Sequence, residues 1–149
     1  MRVGLAAVAA ALTAAVPPGY VVVAHVGGIA VRAPTSRSGW GACPSRTVVV
    51  GNVGLKGARR AVLAALPTIA RESEPPLRTT GARVVGVLHT RSTGFIMPSR
   101  RSCRGVAFRR SLLVQIVLPA EKRAPSLRGN PWFYVARTKE AWVIWDRPR

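Results

Sequence analysis

The sequence predicts an α+β domain: one helix packed on an antiparallel sheet of about four to five strands, after an N-terminal hydrophobic export segment. Three observations carry this. Residues 54–73 (GLKGARRAVLAALPTIARES) repeat apolar side chains at helical period. Residues 82–90, 104–119 and 132–146 alternate or cluster β-branched and aromatic residues as strands do. From Val3 to Val31 there is no Lys, Arg, Asp or Glu. A length of 149 residues leaves room for one domain beyond that segment.

Residues 1–31 read as a signal peptide or a membrane anchor. A single Arg2 precedes the apolar run VGLAAVAAALTAAV, Pro-Pro-Gly interrupts it, and YVVVAHVGGIAV resumes it. A short basic start, an apolar stretch and small residues at a cut describe secretion. Two cuts have suitable small residues, after Ala15 and after Ala30. The uncharged run is also long enough to span a bilayer. Cys43 and Cys103 are the only cysteines, and an even pair in an exported chain reads as one disulfide. The localisation expected is secreted, or the outer face of the cytoplasmic membrane.

Residues 32–45 are rich in Gly, Ser, Pro and Arg and read as an extended lead-in to a single domain over 46–149. RTVVVGNV (46–53) reads as the first strand. The helix follows over 54–73, with Leu55, Ala58, Val62, Leu66 and Ile69 on one stripe; Pro67 should kink it or end its main part at Leu66. ARVVGVLHT (82–90) is the next strand and 91–103 a loop, with a short paired stretch at Phe95–Met97. Over 104–119, Val106, Phe108, Leu112, Val114, Ile116 and Leu118 share one parity, which implies one long strand. After a loop at 120–130, two strands pair around the turn Thr138-Lys139-Glu140. The order is β-α-β-β-β-β, a roll.

That element order resembles the cystatin-like and NTF2-like families over about 46–146. Two local matches to cystatins are Val84-Val85-Gly86 after the helix and Pro131-Trp132 later. The resemblance implies a wedge against papain-like proteases, or in an NTF2-like protein a cavity able to hold an active site. The Gln that begins the cystatin motif is missing, and Arg83 stands nearby. In composition the chain resembles a small exported protein of a GC-rich bacterium.

Twenty Arg and three Lys against five acids give a net charge of +18. A field of that sign attracts polyanions. With export, the partners expected are an anionic envelope polymer, a lipid surface or a protein, and nucleic acid is the less natural one. The function expected is a non-catalytic binding or structural domain at the cell envelope. The alternative is a small secreted enzyme or a cystatin-like inhibitor.

GNPWFYVARTKEAWVIWD (129–146) holds three of the four tryptophans. With Arg109 and Arg110, its Trp132, Tyr134, Arg137, Trp142 and Trp145 form the candidate binding surface, and Arg137 can stack on Trp142. One face of this hairpin should bury against the helix. The other is to be covered by residues 32–46 or by a partner, including a second copy through the outer sheet face. No catalytic, metal or cofactor motif is present; if the chain were an enzyme, His89 and Asp146 would be the residues to test. A salt bridge closing the sheet is the structural role expected of Asp146.

Overall fold

The computed structural model describes residues 19–35, 39–71, 79–90, 103, 105–118 and 132–147. Two strands come first, β1 (Tyr20–Val26) and β2 (Ile29–Pro34), joined by Gly27 and Gly28. Both glycines have positive φ, 56° and 76°, the left-handed pair that a two-residue type I′ hairpin turn demands. β3 (Thr47–Val48) and a 3-10 turn (Asn52–Gly54) lead into α1 (Leu55–Arg71). Then come β4 (Arg83–His89), α2 (Val106–Arg110), β5 (Leu112–Val117), β6 (Trp132–Thr138) and β7 (Ala141–Asp146).

Among the described residues seven strands form one mixed sheet, ordered β1-β2-β7-β6-β5-β4, with β3 beside β6. Every pair is antiparallel except β2 with β7, where Ala30, Val31 and Arg32 run parallel to Ala141, Trp142 and Val143. Among the described residues β1 and β4 do not pair with each other, but α1 touches both, so the sheet curls around the helix. Both outer strands carry a bulge, at Val22–Ala24 and Val84–Gly86. Bulges bend a strand and make its open edge a poor template for another chain.

The helix packs with small residues toward the sheet. Ala58, Ala61, Val62, Ala65, Leu66 and Ile69 bury against Val31, Ala33, Leu112, Val114, Ile116, Phe133, Val135, Trp142 and Ile144. These are the helical stripe and the sheet parity that the sequence implies. The final hairpin also forms: Val135, Ala136 and Arg137 oppose Ile144, Val143 and Trp142. The Thr138 hydroxyl accepts the Glu140 and Ala141 N–H groups at 3.3 and 3.0 Å, which closes the turn.

The fold departs from the sequence expectation in three places, in the number of strands, in β3 and at residues 106–110. The described residues form seven strands, because residues 20–34 form a hairpin inside the sheet, whereas the sequence expectation places 1–31 in an export segment. β3 is two residues long rather than spanning 46–53: β5 already holds β6 from Trp132 to Val135, so only Arg137 and Thr138 remain open to it. Of the two outcomes expected at Pro67, an end at Leu66 does not occur: the helix continues to Arg71, with Ile69 and Ala70 buried behind an exposed proline. Residues 106–110 are helical, not part of the following strand, since Gly105 at φ 78° turns the chain and Phe108 folds down onto Tyr134. The expected loops at 91–103 (apart from Cys103) and 120–130, with the Phe95–Met97 pairing, lie outside the described residues, as do residues 1–18.

Gly57 lies where α1 crosses Trp142. A Cβ there would stand 2.5 Å from Trp142 Cζ2 and 3.2 Å from Cε2. Overpacking of this kind costs about 1–3 kcal/mol and outweighs the sub-kilocalorie helix preference of Ala over Gly in a first turn. Gly57→Ala should therefore lower stability by about 1–2 kcal/mol in chemical denaturation. An unchanged or higher midpoint would show that the indole has room to move.

Candidate functional site

The closing hairpin splits its aromatic residues between the two sides of the sheet. Phe133, Val135, Trp142 and Ile144 face α1. Tyr134, Ala136, Ala141, Val143 and Trp145 face the other way, with Leu113. The chain itself covers that second side. Ala42, Cys43 and Cys103 pack on it with Ala107, Phe108, Tyr20 and half-buried Trp132. Tyr134 is 2% exposed and Trp145 is fully buried. Of the two covers left open by the sequence, the internal one is realised, by the lead-in together with α2.

Each part of that cover is fastened. The Cys43–Cys103 disulfide is formed across a sequence separation of 60, with 4.8 Å between Cα atoms. In the chain-entropy model a crosslink of that span stabilises the fold by roughly 4 kcal/mol. The Gly41 N–H donates to the Trp145 carbonyl at 2.7 Å, beyond the stretch where β2 pairs with β7. Trp40 lies 4.7 Å beneath the Arg147 guanidinium. On the α2 side, Trp145 Nε1 donates to Ser111 Oγ at 3.0 Å, and Ser111 donates to the Ala107 carbonyl at 2.8 Å. The Thr90 hydroxyl donates to the Phe108 carbonyl and, at 3.1 Å, to the Ser111 carbonyl. Trp145 is thus held from both sides of its strand, and its ring packs at a tilt against that of Tyr134, 4.8 Å between centroids. These contacts remove Tyr134 and Trp145 from the candidate binding surface.

Arg137 and Trp142 do come together, with the guanidinium 5.5 Å over the indole. Arg137 also donates to the Thr138 carbonyl, and burial draws its pKa below the usual arginine value. Trp142 is 4% exposed, so this stacking is part of the packing, as the sequence implies. Arg110 donates to the Thr47 carbonyl at 2.5 Å and ties α2 to β3, while Arg109 is exposed beside it.

The consequence is a basic end of the sheet. Thr47 pairs with Thr138 and Val48 with Arg137, which brings exposed Arg46 beside the exposed turn residue Lys139. The first turn of α1, with exposed Lys56, joins them because Gly57 rests on the same Trp142 that Arg137 covers. Between these elements stand Val49 and Val53, 70% and 91% exposed. Sequence reasoning missed Arg46, Val49, Val53, Lys56 and Lys139. The Val48–Val50 run reads as strand, and only the short register available to β3 leaves Val49 outside it.

His89 and Asp146 are not brought together. His89 is on outer strand β4 opposite Leu112, on the α1 side; Asp146 is on β7 opposite Tyr134, on the other side, with β5 and β6 between. Asp146 is buried, and its Oδ1 accepts the Arg147 N–H at 2.9 Å. No group of His, Cys, Asp and Glu able to hold a metal occurs among the described residues, and no described helix is long and apolar enough to cross a membrane. Val84–Gly86 lies within β4 and Trp132 opens β6, while Pro131 is outside the described residues.

Among the described residues these features define a disulfide-bonded α+β fold with one main helix on a mixed seven-stranded sheet and a basic end. No family model matches the chain, and no curated protein or solved structure matches it.

Tyr20 carries a pH signature. Its hydroxyl donates to the Ala42 carbonyl at 2.9 Å; burial first, and then the Asp146 carboxylate, push its pKa well above the ordinary phenol value. A raised pKa contributes stability that is fully present below about pH 10 and is lost as pH rises further, because the unfolded chain ionises first. Denaturation midpoints between about pH 8 and 11 should fall above pH 10, and fall less in Tyr20→Phe. An equal decline in the variant would exclude Tyr20 as the group responsible.

Proposed function

We propose that this protein is a non-catalytic binding domain that acts at the cell envelope, outside the cytoplasm, on an anionic partner. The observation that carries the reading is the imbalance of exposed charge. Arg46, Lys56, Arg59, Arg60, Arg71, Arg83, Arg109 and Lys139 are exposed, whereas Glu140 is the one exposed acid among the described residues. A surface of one sign holds a polyanion through summed Coulomb attraction and needs no shaped pocket.

Export is supported by the apolar start of the chain and by the disulfide, which persists in oxidising compartments. The fold bears on where a signal could be cut. Cleavage after Ala30 would remove β1 and the first two residues of β2, whereas cleavage after Ala15 leaves every described strand in place. The cut after Ala15 is the one this reading adopts.

The buried outer side of the sheet also directs the reading away from aromatic stacking. With Trp142 and Trp145 enclosed, attraction rests on Arg and Lys and should screen with salt. The protein should be retained on isolated envelopes at about 0.05 M salt and released toward about 1 M, where the screening length falls to about 3 Å. Retention that ignores salt would contradict an electrostatic partner.

A further inference from the structure

The basic end of the sheet has a feature that attraction to a polyanion does not require. Val49 and Val53 project into solvent at 70% and 91% exposure, close together in sequence and held in place. Val50 between them is buried at 6% against the helix-side core, and β3 pins the chain just before them to Arg137 and Thr138. The Gly54 N–H donates to the Gly51 carbonyl at 2.9 Å, which fixes the turn that carries Val53. Two apolar side chains are thus presented on a braced loop, flanked along the chain by exposed Arg46 and Lys56, while half-buried Arg137 and exposed Lys139 lie on the strand end paired with β3.

An apolar tip flanked by basic side chains matches an anionic lipid surface. Basic side chains meet headgroup phosphates while short apolar groups enter the boundary between headgroups and acyl chains. A soluble polyanion would satisfy the arginines and lysines and leave both valines in water. We infer that this end of the domain docks on an anionic bilayer, with Val49 and Val53 entering the interface and the surrounding cations holding the headgroups. The inference rests on the envelope reading and narrows its partner to lipid.

The test measures binding of the full chain to vesicles of phosphatidylglycerol with phosphatidylcholine, to phosphatidylcholine vesicles, and to soluble polyphosphate. Wild type should bind the anionic vesicles and not the neutral ones. The double variant V49S/V53S should lose about tenfold or more in vesicle affinity, since each valine contributes apolar burial, and keep its polyphosphate affinity. K56E/K139E should weaken both. Val53→Leu should bind the vesicles more tightly, which gives a readout that loss of folding cannot mimic. Equal vesicle binding by wild type and V49S/V53S would overturn the docking tip. Polyphosphate binding without vesicle binding would also overturn it and leave the anionic-partner reading standing, and binding to neither would overturn both.

Discussion

The structure depends on how β7 is paired. All six of its residues are buried, with Trp142 and Ile144 on the helix side and Ala141, Val143 and Trp145 on the other. A strand buried on both sides must also have both edges filled, because an unpaired backbone group away from water costs as much as a lost hydrogen bond. β6 fills one edge through the tight hairpin. The other is filled by β2, drawn from more than a hundred residues earlier and running parallel. Past that pairing, the Gly41 N–H takes the Trp145 carbonyl, and Tyr20 on β1 fastens the same stretch by donating to Ala42. The lead-in is laid over the outer side because it follows directly from β2, and the disulfide then locks it.

This arrangement explains which parts of the fold were legible in the sequence. The stripe from Ala58 to Ile69, the alternation of Leu112, Val114 and Ile116, and the Thr138–Ala141 turn are set by neighbours in the chain, and period alone reveals them. The hairpin at 20–34 was masked by its own composition. A strand buried in a sheet and the apolar stretch of a signal are both uncharged and rich in Val and Ala, so hydropathy does not separate them. Gly27-Gly28 between two β-branched runs was the available sign, since few other pairs supply two left-handed residues in sequence. The helix at 106–110 had no such sign: its residues fit a strand equally well, and the contacts of Phe108 with Tyr134 and of Thr90 with the Phe108 carbonyl decide the outcome.

The net positive charge was legible in the sequence, and the place where exposed cations and apolar residues come together was not. Charge alone leads to the expectation of an anionic partner, and the aromatic residues of the hairpin offer a platform for it. Burial separates the two. The cover of lead-in, disulfide and α2 turns Tyr134 and Trp145 into core, while the shortness of β3 leaves Val49 exposed beside Arg46 and Lys139. Both outcomes follow from competition for strand edges, which no local pattern encodes. His89 and Asp146 are separated by the same topology, since β5 and β6 lie between their strands.

The central claim is that residues 20–34 belong to the folded domain and complete β7. Its most direct test compares thermal unfolding of chains that begin at residue 16 and at residue 32, with the disulfide intact in both. The account predicts a cooperative transition for the first. It predicts none for the second, because losing β1 and half of β2 uncovers an edge of β7 and part of α1, a deficit comparable to the whole stability of about 5–15 kcal/mol of a small domain. Equal, cooperative unfolding of the two chains would contradict it.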